Sequence, residues 1–172
     1  MRVEGDHSVL GEISVMDVEP GLFWFGAWRN FNVFAWHETP TMDAVQRIDR
    51  TNPERTAAHP ERISTAHIIL PSVSAPSAQV RDAFNDMHQR WGATVGAAAV
   101  VIERGGLMGL AVRTTIAGMT MVAPKHYRVK VCETVDDAAP WLAEHHARAT
   151  GVRVTVVDLL AVMRHARKSG RR

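Results

Sequence analysis

A short serine-rich loop is the strongest candidate for a site in this sequence. It contains Ser72, Ser74 and Ser77, and Arg81 follows one helical turn later. Helical periodicity begins after Ser77, so the loop would lie at a helix N-terminus, where unpaired N–H groups and a partial positive charge attract anions. A ligand anion, or a phosphoryl group on one of these serines, could be held there beside Arg81. The alternative is that Ser74 or Ser77 only caps the helix and Pro76 starts it.

The other residue types that perform chemistry show no such pattern. The nine histidines include no His-x-x-x-His pair, and the adjacent His145 and His146 would point about 100° apart on a helix. Cys132 lies in a predicted strand, where a buried thiol is unreactive unless a base or a helix terminus lowers its pKa. No nucleophile elbow, P-loop or dinucleotide fingerprint occurs. We therefore predict no catalytic residue, no metal and no cofactor, although a pocket joining His67 or His126 to an acid would indicate an enzyme.

The composition is typical of one globular domain. The chain has 172 residues, of which 46% are apolar and 22% charged, and a chain of this size can bury a sizeable core. A single cysteine suits a reducing compartment, and the first residues lack the apolar segment of a signal peptide. The longest apolar run, residues 95 to 102, is shorter than the ~20 residues that span a bilayer. We therefore predict a cytoplasmic protein without a transmembrane segment.

The positive charge is concentrated at the end of the sequence. Residues 164 to 172 hold no acid and five bases: Arg164, Arg167, Lys168, Arg171 and Arg172. Without these five, 15 of the 20 basic residues remain against 18 acidic ones, a net charge of −3. The fold itself is therefore not expected to present a basic face to nucleic acid. The tail could contact phosphates of nucleic acid or of an acidic membrane, or it could simply be solvated, since it has no aromatic residue for base stacking.

Aromatic residues are concentrated between residues 23 and 36. Consecutive residues of a strand point to opposite faces, so half of these aromatics could face the core. The others would lie under a covered edge or hairpin, or form an exposed patch for a partner subunit or an apolar ligand. The candidates for such an interface or pocket are Phe23, Trp24, Phe25, Trp28, Phe34 and Trp36.

Hydrophobic periodicity predicts strands that alternate with helices. Strands are predicted at residues 8–17, 22–28, 63–70, 95–103 and 127–132, and helices at 39–52, 77–91, 107–122, after 134 and after 155. This order predicts an α/β fold with a mixed, mainly parallel sheet, an N-terminal β-hairpin, helices packed on the sheet and one extra C-terminal helix. Pro140 should bend its helix or delay its start. Residues 1–152 would form the domain, and 153–172 an amphipathic helix and basic tail.

The order and spacing of these elements resemble the STAS domain, the fold of anti-sigma-factor antagonists and of the cytoplasmic tails of sulphate transporters. The resemblance covers residues 8 to 148. It rests on Glu19-Pro20-Gly21, on the buried strand 97–102, and on the closing sequence Glu133-Thr134-Val135-Asp136-Asp137-Ala138-Ala139-Pro140-Trp141-Leu142. Regulatory members carry a phosphorylatable serine in an Asp-Ser-Ser-Gly-like turn, whereas residues 72–77 have neither that Asp nor that Gly. The resemblance implies a fold that binds partner proteins or small ligands.

Three functions are compatible with these patterns. The first is a non-catalytic binding or regulatory module of STAS-like fold that acts through protein contacts as a homodimer, because the aromatic hairpin and the apolar last helix need cover. The second is a carrier of a small apolar ligand, lined by the aromatics of residues 23–36 and by Met108 and Met119. The third is an enzyme of unknown type, with a site built from scattered histidines and arginines.

Overall fold

A computed structural model describes residues 9–103, Thr114 and residues 127–170. Six strands form one sheet in the order β1 (Ser14–Glu19), β2 (Phe23–Trp28), β3 (Phe31–Trp36), β4 (Ile63–Ile69), β5 (Val95–Ile102) and β6 (Arg128–Cys132). The first three strands are antiparallel neighbours, and β3 to β6 run parallel to one another. This topology confirms the predicted α/β fold with a mainly parallel sheet and an N-terminal antiparallel hairpin.

Four helices in the described part of the chain cover the two faces of the sheet. Helices α1 (Met42–Ala58) and α2 (Ala78–Trp91) pack on one face, and α3 (Val135–Thr150) and α4 (Val156–Lys168) on the other. The first two connect parallel neighbouring strands, and right-handed crossovers place both on the same side. Helix α4 is the predicted extra helix. None of the helices described is long and apolar enough to cross a membrane.

The antiparallel part of the sheet has one strand more than the sequence predicted. Strand β3 follows β2 after only two residues, Arg29 and Asn30, and Trp28 pairs with Phe31 across the turn. Arg29 has a φ of +50°, a conformation that tight hairpin turns usually give to glycine or asparagine. An arginine at this position gives no sequence signal for a turn, and the prediction of only two opening strands was therefore wrong.

Helix α1 continues past the point at which the sequence predicted its end. A proline inside a helix removes one backbone donor and usually ends or kinks the helix, yet α1 contains Pro53 and extends to Ala58. Beyond the proline, the guanidinium of Arg55 is buried and donates to the backbone carbonyls of Arg29 and Phe31. This attachment to the β2–β3 turn holds the last turn of α1 against the sheet, which explains why the helix does not end at Pro53.

Pro140, the second proline inside a helix, does not disturb the start of its helix. Helix α3 begins at Val135, directly after Thr134, whose hydroxyl accepts a hydrogen bond from the Asp137 N–H at 3.1 Å. Pro140 therefore does not delay the start of α3, which was one of the two expected effects. The helix predicted for residues 107–122 lies outside the described residues, apart from Thr114.

Both faces of the sheet are densely packed. Trp24 and Trp28 lie under α3 and α4, whereas Phe25 and Phe34 stack on the opposite face with ring centroids 4.3 Å apart. All seven aromatics between residues 23 and 36 are buried, and none is more than 3% exposed. Because β2 and β3 are covered on both sides, their aromatics form the core of each layer and not a surface patch.

The end of α4 is attached to the opening strands. The Gly21 N–H donates to the Gly170 carbonyl at 2.9 Å, and Nε2 of His37 lies 2.6 Å from the Ser169 carbonyl oxygen. The His165 ring packs edge-on against Trp24, with ring centroids 5.8 Å apart. Helix α4 is therefore the cover of the Trp24 side of the sheet.

Candidate ligand-binding cavity

A cavity of about 140 Å³ lies between the sheet and the helices α1 and α2. Alternate residues of the central strands form its floor, because side chains of one strand point to opposite faces. The floor comprises Asn32, Phe34, Trp36, Thr65, His67, Ile69, Ala98 and Val100, and the helices contribute Ile48, Asn52, Phe84, Met87, His88 and Trp91. A protein cavity of about 150 Å³ can hold one benzene molecule. The space here therefore fits a ligand of about one aromatic ring.

The described residues that line the cavity carry no charge at neutral pH. Its lining in the described part of the chain contains no Asp, Glu, Lys or Arg. Burial lowers the pKa of His67 to about 3, helped by the nearby His88, and burial also lowers the pKa of His88. Both imidazoles are therefore neutral at pH 7. An ion that entered this cavity would lose hydration without meeting an opposite charge, so the lining favours an uncharged ligand.

His67 is held in one orientation on the floor. Trp36 Nε1 donates to His67 Nδ1 at 3.3 Å, and the Phe34 ring stacks on the imidazole with centroids 4.5 Å apart. An indole nitrogen can only donate, so Nδ1 of His67 must be the acceptor and the proton of the neutral ring is on Nε2. Within the described residues Nε2 has no hydrogen-bond partner. His67 thus offers a single N–H donor at the cavity.

Asn32 is the second polar group with a fixed orientation. The residue is 3% exposed, and its Oδ1 accepts from Arg55 Nε at 2.9 Å. Arg55 is also bonded to the Phe31 carbonyl at 3.2 Å and to His59 Nε2 at 3.1 Å. Because Oδ1 of Asn32 is occupied, its Nδ2 group remains for the cavity, and it has no partner among the residues described. Arg55 does not line the cavity but determines which end of the amide faces it.

The predicted serine site starts α2 in the way a capping residue does. Ser77 precedes α2, and its hydroxyl accepts from the Val80 N–H at 3.3 Å. The Arg81 guanidinium donates to the Pro76 carbonyl at 3.0 Å and thereby closes the same turn. These contacts correspond to the capping interpretation of the sequence, while phosphorylation or anion binding at this loop stays a prediction.

The remaining serines of the loop attach it to the connection between β3 and α1. Ser72 Oγ donates to the His37 carbonyl. The Ser74 N–H donates to Thr39 Oγ1 at 3.0 Å, and Ser74 also lines the cavity. The structure therefore places one of the three predicted serines at the candidate site and two in contacts that shape the loop beside it.

The aromatic candidates divide between the cavity and the two cores. Phe34 and Trp36 line the cavity. The other four predicted aromatics are buried in the cores without reaching it, and they are Phe23, Trp24, Phe25 and Trp28. Met108, Met119 and His126, which the sequence offered as pocket or site residues, lie outside the described residues.

Two basic residues of the tail are engaged in ion pairs. Arg164 Nη2 lies 2.5 Å from Asp136 Oδ1 and links α4 to α3. Arg167 Nε lies 2.6 Å from Glu103 Oε1 at the end of β5. Lys168 is exposed at the end of α4, while Arg171 and Arg172 lie outside the described residues. The two described arginines of the tail therefore attach α4 to the fold.

Cys132 and the buried pair of Ser64 and His146 lie away from the cavity. Ser64 Oγ and His146 Nδ1 are 2.8 Å apart, but both residues are fully buried where α3 packs on β4. Burial lowers the pKa of His146 to about 4. Burial also raises the pKa of the Cys132 thiol, which keeps it protonated and unreactive. The described part of the chain contains no group of three His, Cys, Asp or Glu side chains placed to hold a metal ion.

Sequence reasoning noticed one of the two key residues and missed the other. His67 was considered only together with an acidic partner, and none of its hydrogen bonds among described residues involves an acid. Asn32 was not considered, although an amide inside a strand of otherwise apolar residues is a usable signal. The acceptor atoms of His67 and Asn32 are hydrogen-bonded to Trp36 and Arg55. These partners are distant in sequence, so the local sequence does not indicate the bonds.

The described residues define an α/β fold with a ring-sized cavity whose described lining is uncharged and mainly apolar. Comparisons of the chain with protein-family models, with curated proteins and with solved structures find no match. The resemblance to the STAS domain is therefore still a prediction, and the function must be inferred from the cavity itself.

Proposed function

We propose that this protein binds a small, uncharged and mainly apolar molecule in the cavity between the sheet and the helices α1 and α2. The observation that carries the proposal is the cavity itself, which combines aromatic walls, no charged side chain among its described lining residues and a few oriented polar groups. Small-molecule sites in proteins usually have this composition. The proposal corresponds to the ligand carrier inferred from the sequence, with a different set of lining residues.

The size of the cavity sets the expected affinity. Very small ligands gain at most about 1.5 kcal/mol per heavy atom, and typical values are lower. A six-membered aromatic ring should therefore bind with a Kd on the order of 0.1–1 mM. Benzene is a suitable first probe, because it tests the apolar space without any hydrogen bond.

Titration with benzene, followed by NMR of the methyl group of Met87, tests the proposal. We expect saturable shifts at Met87, and we expect Ala98→Leu, which extends a side chain from the floor into the cavity, to abolish them. Because the added methyl groups enter empty space, Ala98→Leu should leave the free energy of unfolding unchanged or raise it. Gently purified protein should also be analysed by native mass spectrometry, in which a co-purifying small molecule would identify the natural ligand.

Ala99→Leu is the matched control. Ala99 is the next residue of β5, but it is fully buried in the dense core on the opposite face of the sheet. The same change there should cost about 1–3 kcal/mol of stability and leave benzene binding intact. Equal destabilisation by the two substitutions, or the absence of benzene shifts in the parent protein, would contradict the proposal.

We propose, as a second candidate function, the STAS-like regulatory module that acts through protein contacts as a homodimer in the cytoplasm. The supporting observation is strand β1, which lies at one edge of the sheet and pairs only with β2 among the described strands. Val15 is 59% exposed and Val18 is 38% exposed on this strand. An edge strand with exposed apolar residues can pair with another chain.

Light scattering at high protein concentration measures the oligomeric state and thereby tests this second candidate function. We expect a dimer that Val15→Glu converts to a monomer, because the charge would be desolvated in an edge-to-edge interface. Val157→Glu is the control, since Val157 is 73% exposed on α4 and lies outside β1. A strict monomer at all concentrations would end the dimer proposal without affecting the cavity.

A further inference from the structure

The geometry points to an uncharged carbonyl compound as the ligand class, with the ligand oxygen accepting a hydrogen bond from His67 Nε2–H. This inference rests on the proposed function, because it names the chemistry of the molecule that would occupy the same cavity. It is carried by the hydrogen-bond roles of two polar groups on the floor, His67 and Asn32, whose acceptor atoms are both occupied by donors of the protein.

The first of these groups has a fixed tautomer. A neutral imidazole has one donor and one acceptor nitrogen, and the hydrogen bond from the Trp36 indole assigns the acceptor role to Nδ1 of His67. The stacked Phe34 ring prevents the imidazole from lying in another plane without loss of that contact. A ligand that reaches His67 therefore meets an N–H group and no acceptor. It can satisfy this group only with a lone pair.

The second group repeats the arrangement on the neighbouring strand. Asn32 is directly opposite Thr65 in the β3–β4 ladder, and His67 is two residues further along β4 on the same face. Arg55 occupies Oδ1 of Asn32, so the amide presents N–H groups. Thr65 has a hydroxyl, which can donate as well. All three polar side chains of the floor can thus donate, and His67 and Asn32 turn donors towards the cavity, so a ligand with a carbonyl oxygen complements the floor better than a hydrocarbon.

Because the described lining carries no charge, the cavity should favour a ligand with a neutral carbonyl group over one with a carboxylate. A carboxylate would also accept hydrogen bonds, but its full charge would be desolvated among Phe34, Phe84 and Trp91 with no cationic side chain in contact. The nearest buried cation, Arg55, is separated from the cavity by Asn32 and makes its own contacts with backbone carbonyls. A neutral carbonyl gains the hydrogen bond without this desolvation cost.

Two probes of the same shape test the inference. Acetophenone and α-methylstyrene differ only by the replacement of C=O with C=CH₂, and benzoate supplies the charged alternative. NMR titration of the parent protein should give a Kd for acetophenone about tenfold lower than that for α-methylstyrene, because one buried donor is satisfied in one complex and left unpaired in the other. Benzoate should bind more weakly than both.

Substitutions of His67 and of Trp36 test whether the His67 N–H group causes the preference for the carbonyl compound. His67→Phe should bind both neutral probes with equal affinity, since it keeps the ring and removes the donor. His145→Phe is the matched control and should keep the tenfold preference, because His145 stacks on Trp141 on the opposite face of the sheet and does not line the cavity. Trp36→Phe removes the hydrogen bond that fixes the tautomer, and the preference should fall to a few-fold. The ¹⁵N shifts of the His67 ring in the free protein should show a protonated Nε2 and an unprotonated Nδ1.

The outcomes separate this inference from the proposed function. If acetophenone and α-methylstyrene bind the parent equally, if benzoate binds most tightly, or if the His67 proton is on Nδ1, the carbonyl assignment is overturned while ring binding stands. If benzene and both neutral probes fail to bind, the proposed function and this inference are overturned together.

Discussion

Replacement of Arg55 with methionine is expected to lower the free energy of unfolding by about 4 kcal/mol. The substitution keeps an unbranched side chain in α1 but removes every donor from a buried site. The carbonyl of Phe31 and Oδ1 of Asn32 would then each lose a donor in a buried environment, and a buried polar group left unsatisfied costs about 1–3 kcal/mol. The carbonyl of Arg29 would lose its 2.7 Å bond as well.

Two opposing effects decide the sign of this prediction. Burial of the guanidinium is itself unfavourable, and burial lowers the pKa of Arg55 accordingly. However, removal of only one member of a buried network leaves the other members unsatisfied, which usually costs more than the relieved desolvation. Arg50→Met is the control, because Arg50 is exposed on the same helix and should change stability by less than about 0.5 kcal/mol. Urea denaturation that finds the two variants equally stable would refute the role given to Arg55.

Acidification from pH 7 to pH 4.5 is expected to remove about 5 kcal/mol of folding stability. His67 and His146 have folded-state pKa values of about 3 and about 4, because burial disfavours their charged forms. In the unfolded chain both titrate near 6.5. As the pH falls below 6.5 the unfolded state binds protons that the folded state does not, so stability is present above that pH and is lost towards pH 4, by about 1.4 kcal/mol per pH unit for each histidine.

The slope of stability against pH, measured by urea denaturation in reversible conditions, checks this expectation. His146→Gln and His67→Phe should each reduce the slope between pH 6 and pH 4.5 by about 1.4 kcal/mol per pH unit, whatever their effects on stability at pH 7. The two sites lie on opposite faces of the sheet, so their contributions should add in the double variant. A parent protein with equal stability at pH 7 and pH 4.5 would show that neither histidine is buried as described.

The parallel half of the fold was predictable because its signals are local. Residues 63–70 and 95–103 are rich in β-branched or small apolar residues, and the apolar stripe of α2 starts after a serine cap. Strand β3 was missed because its turn depends on a positive φ at Arg29, and no residue type announces that conformation. The end of α1 was misplaced because a tertiary contact of Arg55 outweighs the local effect of Pro53.

The candidate site was less predictable than the fold, since it depends on which strands become neighbours. The aromatic concentration at residues 23–36 was interpreted either as a covered edge or hairpin or as an exposed patch or pocket, and most of these side chains lie in the two cores of the sheet. The site instead uses Asn32 and His67, which become neighbours only when β3 pairs with β4 in the observed register. Their donor roles follow from Arg55 and Trp36, one of which is 23 residues away from its partner in sequence and the other 31.

The position of α4 has a consequence for synthesis of the chain. A ribosome delivers residues 23–36 long before residues 156–170, yet the later segment is part of the cover of Trp24. Until that helix emerges, the nascent polypeptide carries a tryptophan-rich surface that chaperones recognise and that other unfinished chains can stick to. The emergence of residues 156–170 is therefore the step that covers Trp24, and slow translation of this segment would prolong the period in which the chain can aggregate.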